Sequence, residues 1–263
     1  MNRAVPFLRV ALLTGAASIL LLIYLPVLWL ALLSVSGEPL SGMPGHFTTG
    51  WYRALAENRN WVQPTIRSVE IASCVALLSV LGALAAGRGL PLMRRARQPL
   101  VLAFLLPLGI PGTVTGLMLF IGYRFMLGIH MGFWSLVLSH FIWAFPFALI
   151  SMLVVTNRFD YSLLEAAADL GASPRQRFWQ IECPLLMPGL VGAALFGFLL
   201  SFTELPRSIF VSGAIQTLPL FNWAEASAHS SQVPLIFCLN TLLTVLSTVA
   251  SVAMIGLLGQ RTR

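Results

Sequence analysis

Lysine is absent from this 263-residue chain, so all 16 of its basic residues are arginine. A P-loop of the form GxxxxGK[ST] needs that lysine to reach the β and γ phosphates. ATP hydrolysis by the chain itself is therefore excluded, and any ATP motor would have to come from a separate subunit. The helical zinc-protease pair HExxH is missing, and so is the GxSxG nucleophile elbow of serine hydrolases. The cysteines Cys74, Cys183 and Cys238 fall in two helical stretches and one connecting loop with no metal-type spacing, which supports neither a disulfide framework nor a zinc site. Charge is scarce: 10% of the residues are charged against 57% hydrophobic, and the mean hydropathy is +0.85. A chain with so little polar surface cannot cover a water-soluble globule and belongs in lipid.

Six apolar stretches, at 10–33, 65–86, 99–123, 133–155, 185–205 and 233–258, are each long enough to cross a hydrocarbon core of about 30 Å, which takes roughly 20 helical residues. They are apolar on all sides and rich in Leu, Ala and Gly, without the alternation a membrane barrel needs. The predicted fold class is an all-α integral membrane protein with six transmembrane helices. A single domain is expected, with its core at about 65–258, preceded by the first helix and by an outer loop at 34–64. The first stretch follows Arg3 and Arg9 as in a signal peptide, but it exceeds the usual h-region of about 7–15 residues and no convincing cleavage site follows, so it is expected to stay as an anchor.

Arginine placement orients the chain. Arg3, Arg9, Arg88, Arg94, Arg95, Arg97, Arg158, Arg175, Arg177, Arg261 and Arg263 fall on one side of the six-helix arrangement, and Arg53, Arg59, Arg67, Arg124 and Arg207 on the other. The positive-inside rule puts the larger set, and both termini, in the cytoplasm. The net charge of +7 is then a matter of topology and says nothing of nucleic acid.

Between the spans, Gly37, Pro39, Gly42, Pro44 and Gly45 mark a turn-rich outer loop, with a short interfacial helix expected near Trp51 to Glu57. Pro107, Gly109, Pro111 and Gly112 interrupt the third span, either as a packing kink or as a bend beside a translocation path. In the loop between spans four and five, Ser162-Leu163-Leu164-Glu165 has the pattern of a capping box. A short helix would run from there through Ala166, Ala167 and Ala168 to a left-handed cap at Gly171. Ser173-Pro174, with Gln176, would start a second one. The expected product is a helix, a glycine turn and a helix held outside the membrane, with Leu163, Leu164, Leu170 and Phe178 exposed. Such a knob suits insertion into a partner's groove, or rests on the membrane as an ordinary connection.

Ionisable residues inside a membrane are costly and raise functional questions by default. Glu70 has Arg67 three residues earlier on the same face and is expected to pair with it. His140 and Asn240 sit nearer helix centres, where interhelical hydrogen bonds are expected. Glu204 precedes an outer segment carrying Phe221, Trp223 and Glu225. These carboxylates and aromatic faces would favour passage of a cation; the alternative pairs Glu204 with Arg207 and makes Phe221 and Trp223 interface anchors.

Glu165-Ala166-Ala167, Asp169-Leu170-Gly171-Ala172-Ser173, Phe178, Ile181, Pro184 and Pro188-Gly189 resemble the EAA signature of permease subunits in type I ABC importers, with Cys183 standing where such permeases usually carry leucine. The resemblance extends from Trp51-Tyr52 and Ser68 to the last helix. It implies the MetI-like fold, a second permease subunit, two cytoplasmic ATP-binding subunits that hold ATP and magnesium, and an extracytoplasmic solute-binding protein, all at a bacterial inner membrane. It also implies that Leu164, Glu165, Ala166, Ala167, Asp169, Gly171, Ala172, Phe178, Ile181 and Pro184 form the coupling surface for the ATPase. No cofactor or metal is expected on this chain. The segments Ser201-Phe202-Thr203-Glu204-Leu205, Phe210-Val211-Ser212-Gly213 and Thr217-Leu218-Pro219-Leu220 look like permeases for spermidine and putrescine, and related subunits for iron, thiamine, opines and aminophosphonates share much of the pattern. An ion-coupled secondary transporter is the reading from a different class, and the shortage of central acidic residues speaks against it.

Overall fold

A computed structural model describes residues 4–93 and 95–261. Arg3, Arg94 and Arg263 of the orienting arginines lie outside the described residues, and of Arg9 and Arg261 only the backbone is described. The chain divides into two compact units, Met1–Arg59 with Asn222–Arg263, and Asn60–Phe221.

Among the described residues the architecture is helical, with one isolated bridge between Ser36 and Phe47. In order come α1 (Ala4–Ser34), α2 (Gly50–Glu57), α3 (Val62–Gly89), α4 (Arg97–Leu105), α5 (Gly112–Ile121), α6 (Phe133–Thr156), α7 (Ser162–Asp169), α8 (Pro174–Arg177), α9 (Cys183–Phe202), α10 (Ser208–Val211), α11 (Leu218–Ala228) and α12 (Val233–Arg261). Among the described residues five helices are long and apolar enough to span a membrane, and the pair Arg97–Gly109 and Gly112–Met126 makes a sixth only if counted as one span bent by 105°. The interruption expected at Pro107, Gly109, Pro111 and Gly112 is this break. Pro107 and Pro111 supply no backbone N–H, and Ile110, directly before Pro111, is extended at φ −104°, ψ 128°. The angle is far beyond a packing kink. Its second arm, α5, restarts with the Thr115 amide donating to the Pro111 carbonyl at 2.9 Å.

The larger unit is built on α3, α6 and α9, which pack on one another. Lipid offers no hydrophobic force to drive helices together, so small residues that admit close backbone approach carry such an interface. At Gly197 of α9 an added Cβ would lie 2.8 Å from Ala76 Cα of α3 and 2.9 Å from the Ser79 side chain; at Gly189 it would lie 3.2 Å from Met152 Cα of α6. Ala83, Ala148, Met152, Leu186 and Ala193 fill the adjoining core. In the other unit α1 packs on α12, and the Ser34 carbonyl accepts from Cys238 Sγ at 3.2 Å. The Tyr52 hydroxyl bonds Ser34 Oγ at 2.8 Å, which holds α2 beside the end of α1. Much of α1 remains bare apolar surface, with Leu13 70% and Leu22 74% exposed, as a lipid-facing helix should be. The expected short helix near Trp51 is α2.

Replacing Gly197 by Val should destabilise the protein by about 1–3 kcal/mol, because the clash is with backbone and cannot be relieved by a rotamer. Gly122, where a Cβ meets nothing within 4 Å, should accept Ala without loss. Thermal unfolding followed by size-exclusion chromatography in detergent reads both.

Candidate functional site

The connection from α6 to α9 forms a helix, a glycine turn and a helix, with different capping from that expected. Ser162 is the first residue of α7, not its cap, and its amide is bonded by Asp160 Oδ1 at 3.0 Å, while the Glu165 amide goes to the Tyr161 carbonyl. The Ser162–Glu165 box therefore does not form: Ser162 has already entered the helix, and Asp160 has taken over the capping role. Bonding from the Ser162 hydroxyl and amide holds the Asp160 carboxyl below its ordinary range. At the other end the Ala172 amide donates to the Ala167 carbonyl at 2.9 Å and the Gly171 amide to the Ala168 carbonyl at 2.9 Å, with Gly171 at φ +84°. These are the two bonds of a Schellman cap, and the left-handed residue is the expected one. The second box is present: Ser173 N donates to Gln176 Oε1 at 2.8 Å and Gln176 N to Ser173 Oγ at 3.4 Å.

The second helix is not a separate piece of a knob. α8 passes through a π-helical turn, Phe178–Glu182, directly into α9, giving one span from Pro174 to Phe202. Cys183 lies in that helix and not in a loop. Of the four apolar side chains expected on the surface, Leu163 is 45% and Leu170 89% exposed. Leu164 and Phe178 are half-buried. The reason is Arg88 at the end of α3, whose guanidinium lies 4.9 Å over the Phe178 ring while its Nε donates to Glu182 Oε1 at 2.7 Å. Arg177 Nη1 reaches the Leu164 carbonyl at 3.4 Å and ties α8 back to α7. Burial, then the Glu182 charge, push the Tyr161 hydroxyl upward against an opposing pull from Arg97. Glu165, Ala166 and Asp169 are exposed on α7, Ala167 and Ala172 half-buried, and Ile181 and Pro184 fall on the helix that becomes α9. Arg88 and Glu182 escaped the sequence reading; an acid between Ile181 and Cys183 at the edge of a span was the available signal.

At the opposite end of α9, Glu204 is 5% and Arg207 2% exposed. Glu204 Oε1 accepts from both the Arg207 amide and Nη1 at 3.0 Å, and the guanidinium stacks 4.3 Å from the Trp143 ring. His140 completes the cluster, bonding Ser201 Oγ and Ser208 Oγ at 2.9 Å each. Because the Ser208 hydroxyl donates to the Glu204 carbonyl at 2.8 Å, it accepts from His140 Nε2, and Ser201 donates to Nδ1. The expected interhelical roles of His140 and Asn240 are present, the latter accepting from Asn222 Nδ2 at 3.0 Å. The Arg67–Glu70 pair forms at 2.8 Å. Glu204 is thus the partner of Arg207 and not an open carboxylate. Of the other pathway candidates, Phe221 belongs to the larger unit and is half-buried. Trp223 and Glu225 belong to the other unit, where Trp223 is 50% exposed and Glu225 lies 3.8 Å from His229. Among the described residues no group of three His, Cys, Asp or Glu could hold a metal ion.

The described residues thus form a multi-pass helical scaffold with an exposed glycine turn between α7 and α8. The model of binding-protein-dependent transport system inner membrane components matches residues 79–263, and the chain belongs to that family. It is 31% identical over 233 residues to the spermidine/putrescine transport system permease protein PotC of Escherichia coli (strain K12), covering 88% of this chain and 87% of that one. It is also 31% identical over 209 residues to the putrescine transport system permease protein PotI of the same strain, covering 75% and 73%. Among solved structures, a bacterial ABC transporter chain involved in the import of the acidic polysaccharide alginate superposes with a TM-score of 0.73 over 97% of this chain and 98% of that one, at 13% identity, a likeness of fold. The chain is therefore an inner-membrane permease subunit of an importer, not an enzyme, and works with separate ATPase and binding-protein subunits.

Glu204→Gln leaves Arg207 charged, buried and unpaired, and should cost about 3–5 kcal/mol, seen as lost monodisperse protein in detergent. Glu204→Gln/Arg207→Gln should recover most of it. A Glu204→Gln chain at wild-type abundance but with lowered uptake would instead put the carboxylate on the solute route.

Proposed function

We propose that this chain is the permease for a polyamine, spermidine, putrescine or a related small amine, and that the turn around Gly171 is where the ATPase docks. The observation that carries the docking reading is the Schellman turn itself: it holds Leu170, 89% exposed, at the end of α7, the helix that also carries the exposed Leu163 near its start. Apolar side chains presented on a capped helix suit insertion into a groove on another protein. The polyamine reading is supported by relatives named for spermidine and putrescine transport across most of their length. ATP and magnesium are held by the ATPase subunits, and a second, homologous permease completes the path. Both termini are cytoplasmic, as is the end of the larger unit where Arg88 meets Glu182 and Arg97 bonds Asn157.

In proteoliposomes carrying the assembled complex and its binding protein, ATP-dependent uptake of labelled spermidine or putrescine is expected; transport of neither removes the polyamine assignment. Gly171→Val should abolish uptake with the protein still inserted, through about 1–2 kcal/mol of left-handed backbone strain, while Gly171→Asn should keep much of it. Because a Cβ at Gly171 meets nothing within 4 Å, steric crowding does not confuse the result. Normal uptake by Gly171→Val would end the docking reading.

Orientation has its own test. In spheroplasts Cys183 should resist a membrane-impermeant thiol reagent, whereas a cysteine placed at Met43, 71% exposed, should react. The reverse pattern overturns the topology.

A further inference from the structure

A push on the Gly171 turn has unequal routes into the membrane. It reaches α9 through a continuous helix, because α8, the π-helical turn and α9 form one span from Pro174 to Phe202. α3 has no such covalent link: Arg88 and Glu182 are 94 residues apart. Among the described residues theirs is the salt bridge that joins distant parts of the sequence, the other three lying within i to i+4.

Besides the direct packing of α3 on α9, the polar link at this end rests on one guanidinium. Phe178 and Glu182 stand four residues apart on the π-helical turn, and Arg88 engages both, the ring at 4.9 Å and the carboxylate at 2.7 Å. π-helical turns are rare and recur at functional positions. The Glu182 side chain is 11% exposed and that of Arg88 52%, so the acid is set in the protein and the arginine reaches to it from the membrane edge. Tyr161, just before α7, and Leu164 of α7 line the same cleft as Arg88, Glu182, Leu84 and Leu92, and Arg177 fastens the Leu164 carbonyl. Arg88 is half-exposed while Glu182 is buried; the pair's position at the junction of α3, α7 and the start of α9 is the more telling property.

We propose that Arg88 and Glu182 are positioning residues that clasp α3 to the root of α9, so that a displacement of the Gly171 turn by the ATPase moves both spans together. The proposal rests on the docking reading given above. The clasp converts a local push into a concerted movement of two of the three mutually packed core helices. With it open, α9 responds and α3 lags, and ATP hydrolysis and the solute path lose register.

The test uses the complete complex in lipid nanodiscs, with Arg88→Gln, Glu182→Gln, the exchange Arg88→Glu/Glu182→Arg, and Gly171→Val as reference. The readout is the ratio of ATPase rate with solute-loaded binding protein to the basal rate, per assembled complex. Each neutral variant should assemble normally, keep its basal rate and lose about tenfold in that ratio. The exchange should restore it to within about threefold. Wild-type ratios in the neutral variants, while Gly171→Val is uncoupled, overturn the clasp and leave the docking reading standing. A normal ratio in Gly171→Val overturns both. Loss of assembled complex or of thermal midpoint in the neutral variants, at an unchanged ratio, marks the pair as structural and also overturns the clasp.

Discussion

Backbone polar groups that face hydrocarbon have no water to bond, and each one left open costs several kcal/mol. The whole chain is arranged around this constraint. It dictates helices for the spans, and it dictates that a break in a span must lie against protein. Past the break at Pro107 to Pro111, whose Gly109, Ile110 and Pro111 are exposed on this subunit, α5 finds protein again: it leans on the chain after α9, where a Cβ added at Gly116 would meet Phe210 at 2.8 Å and Arg207 Cα at 3.0 Å. Gly112 and Gly116, one turn apart, leave room there, the first for the Pro206 and Arg207 side chains and the second for their backbone. The short α10 beyond is held in the same way, with Ser135 Oγ bonding the Val211 carbonyl at 2.7 Å from the start of α6.

How much was readable in advance follows from the range of each interaction. The spans were legible because a run of apolar side chains is a local property; Phe133–Thr156 differs from the expected stretch by one residue. Gly171 was legible for a related reason, since a left-handed cap depends on one residue and its immediate neighbours. The Ser162 box failed for the same kind of reason: Asp160, two residues earlier, competed for the same amide, and a pattern search over four residues does not contain the competitor. The 105° break was visible as four Pro and Gly residues, but its size depends on what α5 finds to pack against, which lies some 90 residues later in the chain.

The least legible features are pairings across sequence. Arg88 counted in the sequence only as one of many arginines in a topology argument, and Glu182 not at all, because neither has an acid or base at helical spacing. Their contact exists because α3 and α9 cross closely along small residues such as Gly197, a packing event that no local pattern encodes. Glu204 was the opposite case. Arg207, three residues on, was a visible partner, and the chain turn after Thr203 brings the Arg207 amide to the same carboxylate oxygen.

The two ion pairs on the helix from Pro174 to the Glu204 turn differ in a way that bears on motion. Glu204 and Arg207 are 5% and 3% exposed in their side chains, and separating them would strand a charge in a medium that cannot solvate it, so that end behaves as a fixed joint. At the other end the Arg88 side chain is 52% exposed, and water at the membrane edge can take over its bonds when the pair opens. One end is thus expensive to rearrange and the other cheap. The anchored end near His140 and Trp143 keeps the spans packed, while at the other end α3 and α9 are joined by a pair whose arginine can readjust at the membrane edge without being stranded.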